Sequence, residues 1–474
     1  AAILLRWLRA LGREATLYVP DRLAEGYGPN VPAMRELADR HDLILCVDCG
    51  AVADEPIAAA NAAGAEVVVA DHHLGAETPP PAFAVVNPNR QDETSGLGHL
   101  CAAGVVFLLV IAANRALRAA GLAAHPDPIP LLDLVALATV ADVAPLIGVN
   151  RAFVAQGLRV MAARRNVGLR ALADAARLSG PPSAFHLGFL LGPRINAGGR
   201  VGAAETGARL LASDDPGEAA RLAAILEERN RERRAIEAEV LEAAIAQAEA
   251  RGADGPMVWA AGEGWHPGVV GIVAARLKER FDRPAAVIGL QRGEGKGSAR
   301  SVEGVDLGAA VAALAREGVL LKGGGHRMAA GLTVAEDHLA EAMEALGARL
   351  ARQGAGRGGP SDLRLDGALA PGGATLDLCA ALEAAGPWGA AAPAPRFALP
   401  AMRLGAARIF GGRHLGLAAS DPGGRIEAVA FGAADAPLGA FLREKAGETV
   451  HLAGRVEIDD WNGRRRPRLR IEDA

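Results

Sequence analysis

Within the first 90 residues, short β-branched runs recur between amphipathic stretches, at Thr16 to Val19, Leu43 to Val47, Glu66 to Ala70 and Ala84 to Val86. Parallel strands cannot be joined by hairpins, so runs of this length separated by helix-length segments predict an α/β block with a parallel sheet covered on both faces. Polar residues collect where the runs end, Asp48 after the second and Asp71, His72 and His73 after the third. Open sheets of this kind place their sites outside the carboxyl ends of the strands. Residues 97–120 and 129–144 read as buried helices, and Asp142 is an isolated carboxylate near the end of the second, just before Pro145.

Downstream, residues 216–251 mix Arg and Glu with apolar residues near helical spacing, which predicts one helix of roughly 50 Å at 1.5 Å per residue. A second α/β block follows from Met257 to about Arg352, closed by a glycine-rich break at 354–360. The tail from Met402 to Ala474 alternates apolar and polar residues between glycine turns, the pattern of a small β-barrel.

Composition limits the functions open to such a chain. Its 474 residues, half of them hydrophobic, are enough for about three domains with sizeable cores, which excludes disorder throughout. The formal charge of −4 excludes a chain-wide basic coat, so any nucleic-acid site must be a local groove. Leu100 to Ala113 is the longest apolar run, at 14 residues short of the roughly 20 a membrane span needs, and no membrane partner is expected. Four cysteines cannot staple a fold of this size, and a reducing cytoplasm is the expected compartment. Lysine occurs only at 278, 296, 322 and 445, so arginine supplies the other 47 of 51 basic residues and phosphate contacts should mostly be forked.

Asp71, His72 and His73 put a carboxylate beside two imidazoles, ligands suited to a divalent ion such as Mn²⁺, and Asp48 and Asp142 add hard oxygen donors. Any one of them alone is as well explained by a helix cap; together on one sheet edge they read as a metal centre. Cys46 and Cys49 form a C-x-x-C pair without a second pair and read as small buried strand residues. Gly323, Gly324, Gly325 and His326 read as a glycine-rich turn whose N–H groups can approach an anion. Ser298 and Arg300, with Arg194, Asn196 and Arg200, would extend a phosphate-lined path. Five arginines between Arg464 and Arg470, including Arg464 and Arg466, stand next to Trp461, a cationic run beside a stacking platform, although Pro467 also suits a plain edge strand.

In order and spacing, Val-Asp-Cys-Gly at Asp48, the Asp71-His72-His73 triplet, Ala-Asp-Val-Ala-Pro-Leu at Asp142, the Arg194 to Arg200 stretch, Trp265 to Gly271 and Gly323 to His326 resemble the DHH/DHHA1 phosphoesterases over essentially the whole chain. The terminal barrel resembles the OB domain of the branch that degrades single-stranded DNA. The resemblance implies a parallel-sheet DHH domain at 1–215, a connecting helix at 216–251, a second α/β domain (DHHA1) at 252–353 and an OB-like β-barrel at 354–474. It implies 5′-to-3′ hydrolysis of single-stranded DNA with two Mn²⁺ or Mg²⁺ ions, in DNA repair and recombination. Asp48 would bridge the ions, His72 and Asp142 would hold one of them, and Asp71 would be a ligand or orient His72. His73, Arg300 and His326 would meet the scissile phosphate, with Arg194, Asn196, Arg200, Ser298, the three glycines, Trp461, Arg464 and Arg466 along the DNA. A single-strand-binding protein and a helicase are the protein partners it suggests. The family's first Asp-x-Asp motif precedes a helix resembling Ala1 to Leu11, so the chain is expected to be a fragment lacking two ligand carboxylates and to be weak or inactive alone. The rival readings are a phosphatase or short-oligonucleotide hydrolase of the same family, which the barrel disfavours, and a non-catalytic nucleic-acid-binding scaffold, which the retained Asp and His residues disfavour.

Overall fold

Val67 and Val69 are fully buried on one side of their strand and pack with Ile44, Cys46, Ile57 and Ala60, so the β-branched runs form a sheet because their side chains fill one core. The computed structural model describes every residue except 22–24, 123–124, 202, 357–361 and 461–463, with 200 and 201 described by backbone alone. In chain order, α1 (Ala2–Ala10) and α2 (Val31–Ala38) lead into β1 (Leu43–Val47), α3 (Asp54–Ala62), β2 (Glu66–Ala70) and β3 (Ala84–Val86). Next come α4 (Ala102–Ala119), α5 (Leu132–Ala141), α6 (Gly148–Ala162), α7 (Val167–Ala175), the single turn α8 (Ala184–His186), α9 (Gly192–Val201), α10 (Thr206–Ala212) and α11 (Pro216–Arg251). A second block contains β4 (Val258–Glu263), α12 (Pro267–Phe281), β5 (Ala285–Gln291), β6 (Glu294–Arg300), α13 (Leu307–Arg316), β7 (Lys322–His326), β8 (Ala329–Ala335) and α14 (Leu339–Arg352). The last contains β9 (Gly367–Ala368), α15 (Leu376–Ala384), β10 (Phe397–Leu404), β11 (Arg408–Phe410), β12 (His414–Asp421), β13 (Gly424–Ala430), α16 (Pro437–Glu444), β14 (Thr449–Asp459) and β15 (Arg466–Asp473).

By internal contacts the chain divides into two units, one of residues 1–30, 166–178 and 190–360, the other of 31–165, 179–189 and 361–474. In the second unit β1, β2 and β3 form a parallel sheet in that order. The ladder runs on past the strand ends: the Asp48 N–H donates to Ala70 O (3.0 Å) and the Asp71 N–H to Val86 O (3.1 Å), which sets Asp48, Asp71 and Asn87 side by side. Thr16 to Val19, expected as a strand, has no ladder partner among the described residues, and a strand exists only through its pairing. Helix α5 is buried on nearly all sides, and α6 crosses it at Gly157, where a Cβ would fall 2.2 Å from Leu132 O and 2.5 Å from Ala136 Cβ. Helix α4 is long and apolar enough to cross a bilayer, at mean hydropathy 1.6, but Val105, Val106, Phe107 and Val110 are buried in this core.

The barrel of this unit closes through β10, β12, β13, β15 and β14, with β10 pairing both β12 and β14, while β11 and β9 extend it at the two edges. Strand β12 alternates in and out, sending Leu415, Leu417 and Ala419 into the barrel. The segment before it docks on the helices: the Leu146 N–H donates to Ala390 O (2.7 Å), and the Arg151 guanidinium lies 4.9 Å from the centre of the Trp388 ring.

In the first unit α11 is one unbroken 36-residue helix, packed along its length. Its first half buries Ala219, Leu222 and Leu226 beside α7 and α9; its second half buries Val240, Ala244 and Ala248 with Val269, Val273 and Leu277 of α12 over β4 and β5. The five-stranded sheet has the order β4-β5-β6-β8-β7, parallel between β4 and β5 and antiparallel elsewhere. Its other face is covered by α13 and α14, through Val311, Leu314, Leu346 and Leu350.

Candidate metal centre and nucleic-acid interface

Asp48 turns off β1 with φ +63, a left-handed conformation that few residues other than glycine, asparagine and aspartate adopt readily. From there its carboxylate reaches His72, with Oδ1 3.2 Å from Nε2, and Asp142, the residue that ends α5, approaches the same nitrogen at 3.7 Å. The strand-end expectation therefore meets a contribution from a helix 70 residues further on. Both carboxylates are well exposed, with side-chain accessibilities of 62% and 49%. Hydrogen bonding to Asp48 raises the affinity of His72 for a proton, with burial opposing; partial burial does the same to Asp142, with His72 opposing.

Asp71 has a different place. It is 1% exposed, and its carboxylate accepts the backbone N–H groups of Ala51 (3.0 Å), His72 (2.7 Å) and His73 (3.2 Å), together with the His73 Nδ1–H at 2.7 Å. Burial pushes its pKa up, but these bonds outweigh it and the group stays below the usual carboxylate range. It thus holds the His73 ring through Nδ1, and accepts the main-chain N–H of His72. Asn87 and Asn89, which follow β3, complete the frame by donating to His73 O (2.8 Å) and His72 O (2.6 Å). The sequence reading missed these two asparagines, whose only signal was polarity just past a third strand end.

The donors fit a small hard cation. Ligands at neighbouring corners of an octahedron with bonds of about 2.1 Å stand about 3 Å apart, close to the Asp48 to His72 separation. Asp48, Asp71, His72 and His73 together offer ligand atoms within 4.8 Å of one another.

In the first unit Arg300 stands on β6, partly buried, donating to Ser298 Oγ (2.8 Å) and Ala299 O (2.9 Å); burial lowers its hold on its proton. His326 ends β7 and is exposed. Two expectations are corrected here. Gly323, Gly324 and Gly325 do not form a turn: they lie in the edge strand β7, because the register with β8 runs straight through them. Arg194 is not open to a strand: its side chain is 9% exposed, forked onto Glu227 of α11 and donating to Leu190 O (2.7 Å), so it braces α9. Asn196 is exposed on α9, while the Arg200 side chain lies outside the described residues.

On the barrel, Trp461 also lies outside the described residues; Arg464 is exposed, and Arg466 pairs with Asp459 at 3.2 Å. A stacking surface stands elsewhere, where rings the sequence reading passed over meet two arginines of the Arg464 to Arg470 run. The rings of Phe410 and His414 are 5.3 Å apart, those of His414 and Phe431 likewise, and the Arg468 and Arg470 guanidiniums each lie 5.6 Å from the Phe431 ring centre. Both phenylalanines are nearly half exposed.

A parallel sheet that gathers Asp and His at its strand ends, a mixed sheet with Arg and His on one face and a closed barrel define a DHH-type phosphoesterase. Family models agree, matching the DHH family N-terminal domain at residues 1–139, the DHHA1 domain at 254–352 and the RecJ OB domain at 365–473. The chain belongs to the RecJ family: it is 38% identical to the single-stranded-DNA-specific exonuclease RecJ of Dickeya dadantii, over 98% of this chain and 83% of that protein. The Bacillus subtilis RecJ is 32% identical over the whole chain, which spans 59% of that longer protein. The crystal structure of Thermus thermophilus RecJ in complex with Mn²⁺ superposes with a TM-score of 0.81 at 33% identity, covering all of this chain and 66% of that one; RecJ from the same organism has also been crystallised with Mg²⁺.

Proposed function

We propose that the chain is the catalytic part of a metal-dependent exodeoxyribonuclease that removes nucleotides from single-stranded DNA in the 5′-to-3′ direction, in DNA repair and recombination in the cytoplasm. The observation that carries the reading is the convergence of Asp48, His72 and Asp142 beside a His73 ring held by buried Asp71, in a chain of the RecJ family. When bound, Mn²⁺ or Mg²⁺ supplies Lewis acidity and a water acidic enough to attack phosphorus at neutral pH. Asp48, within 3.2 Å of His72, would be the group that serves two ions, with His72 and Asp142 on one of them.

The protein's own groups do the rest. Asp71 fixes the ring plane and tautomer of His73, so that Nε2 is set for a phosphate oxygen or a ligand position without a search at the moment of reaction. Arg300 and His326 contact phosphate oxygens, and the desolvation of Arg300 strengthens such a contact. The ring cluster and arginines of the barrel stack and neutralise the strand further along, as single-strand binders do. An enzyme limited to single strands needs a helicase to expose them and works where a single-strand-binding protein has covered them. In domain terms, we assign 1–215 to DHH, 216–251 to the connecting helix, 252–353 to DHHA1 and 354–474 to the barrel.

The test is degradation of end-labelled strands with Mn²⁺, Mg²⁺ or chelator, by this chain and by the same chain extended before Ala1 with the Asp-x-Asp segment, the extended chain being the one expected to be active. Mononucleotides released from the 5′ end, with duplex spared, support the reading. Release from the 3′ end, or activity confined to di- and trinucleotides, refutes it, the second in favour of a short-oligonucleotide hydrolase.

A further inference from the structure

Helix α5 closes in a hydrogen-bonded turn that carries Asp142. The Ala144 N–H donates to Thr139 O (3.0 Å) and the Val143 N–H to Val140 O (3.1 Å), the pattern that ends a helix when the residue after its cap turns left-handed. Val143 is that residue, at φ +56. Glycine is usual there, asparagine occurs, and a β-branched side chain is among the least suited. Packing does not account for the valine, which is 71% exposed. A conformation so disfavoured persists only where the surrounding structure imposes it.

Two sets of contacts do so, both just beyond the turn. Asn150, wholly buried on α6, donates to Pro145 O (3.0 Å) and His99 O (2.6 Å). Residues 385–392, between α15 and β10, cross the same stretch as a strap. The Leu146 N–H donates to Ala390 O (2.7 Å), Gly389 bridges to Ala392, and a Cβ at Gly389 would fall 2.7 Å from Leu146 Cδ1, so a side chain there would push the strap off. The Arg151 guanidinium donates to Ala385 O and lies 4.9 Å from the centre of the Trp388 ring. Trp388 in turn donates its indole N–H to Leu382 O of α15 (3.1 Å), and α15 packs on β14 and β15. The strap thus runs from the barrel to the turn that carries Asp142.

We propose that this strap is a positioning element of the metal centre: by holding Leu146 it keeps Val143 left-handed and Asp142 beside His72. The proposal rests on the metal-centre reading and adds Val143, Trp388 and Gly389, which act through Asp142. Only three residues separate Asp142 from Leu146, and one of them is Pro145 with its fixed φ, so little of a shift at Leu146 can be absorbed on the way. Released, Val143 returns to negative φ, the two hydrogen bonds of the turn break, and the last turn of α5 frays with Asp142 on it.

The experiment makes Gly389→Val and Trp388→Ala, each alone and together with Val143→Gly, with Ile426→Val in the barrel core as control. Mn²⁺ affinity is measured by calorimetry, and hydrogen exchange over residues 140–147 is followed in the metal-free chain. Each strap variant should weaken Mn²⁺ binding about tenfold, as loss of a group that orients a ligand does, and should speed exchange in that segment. Glycine is at ease in the left-handed region, so with Val143→Gly the turn stands without the strap and the same strap variant should cost less than about threefold, the departure from additivity that marks coupled sites. The control should lower the melting temperature and leave affinity and exchange alone. Unchanged affinity or exchange in both strap variants overturns the strap, as does an equal loss in the control. The same loss with valine or glycine at 143 overturns the route through the turn. A parent that binds no Mn²⁺ overturns the metal-centre reading instead, while exchange over 140–147, read without metal, still decides for or against the strap.

Discussion

Asp48 shows how one residue is constrained twice, by its backbone and by its charge. Its left-handed φ makes Asp48→Asn the cleaner probe, because asparagine tolerates that conformation and alanine does not. The variant should fold with unchanged circular dichroism and lose turnover by about three orders of magnitude or more, as expected when a preorganised charge is removed from such a site; near-normal rates at limiting metal would refute its central place. Asp71 is the opposite case, a charge whose work is structural. Asp71→Ala leaves three N–H groups and the His73 ring without their acceptor and should lower stability by on the order of 3 kcal/mol in denaturant titration, with activity lost in parallel. His72 predicts a pH dependence. Its folded pKa is raised, so in the metal-free protein its contribution to stability is complete below the unfolded pKa and is lost as pH rises through the folded one. Mn²⁺ must displace that proton, so its apparent affinity should climb as pH rises between about 6 and 8, with proton release seen by calorimetry in buffers of different ionisation enthalpy. A flat profile would show that His72 is not a ligand.

At the scale of elements, the candidate metal centre rests on the close approach of two helices. Helix α5 delivers Asp142 from its last turn, and α6 holds α5 in place through contact at Gly157. Gly157→Val should cost at least about 2 kcal/mol by overpacking and should weaken Mn²⁺ binding as well, because α5 is displaced at the crossing. Ala152→Val, on the exposed side of α6, should cost only about 0.5 kcal/mol of helix propensity and leave the metal alone. Equal Mn²⁺ affinity in both variants would separate the helix crossing from the site. The same scale explains why the glycine triplet was misread as a turn. Glycine is the usual mark of a turn, yet here it is required inside a strand, because α13 lies too near for a side chain at Gly323 and the neighbouring strand too near for one at Gly325.

For the whole molecule, the question is where a long strand is gripped. Phe410 ends β11 and Phe431 follows β13; the pairing of β12, β13 and β15 brings them together with His414 and Arg470. Phe410→Ala/Phe431→Ala should weaken binding of long single strands by about tenfold or more, at roughly 1 to 3 kcal/mol per stacked base, with cleavage of a saturating short oligonucleotide little changed. Equal loss on short and long strands would place the rings outside the path.

Local chemistry determined much of this protein from the sequence alone. The β-branched runs, the polar residues at their ends and the alternation of the tail were legible because each depends on neighbours in the chain, and they pointed to the sheet, to Asp48, His72 and His73, and to the barrel. What depends on distant residues was not legible. Arg194 looked like a phosphate contact until Glu227 took it, Asp71 joined His73 in place of the His72 ring through a turn no spacing reveals, and Phe431 reaches Phe410 and His414 only because β12 and β13 pair. Which glycines serve packing was decided by what stands opposite them, and that is a property of the tertiary structure.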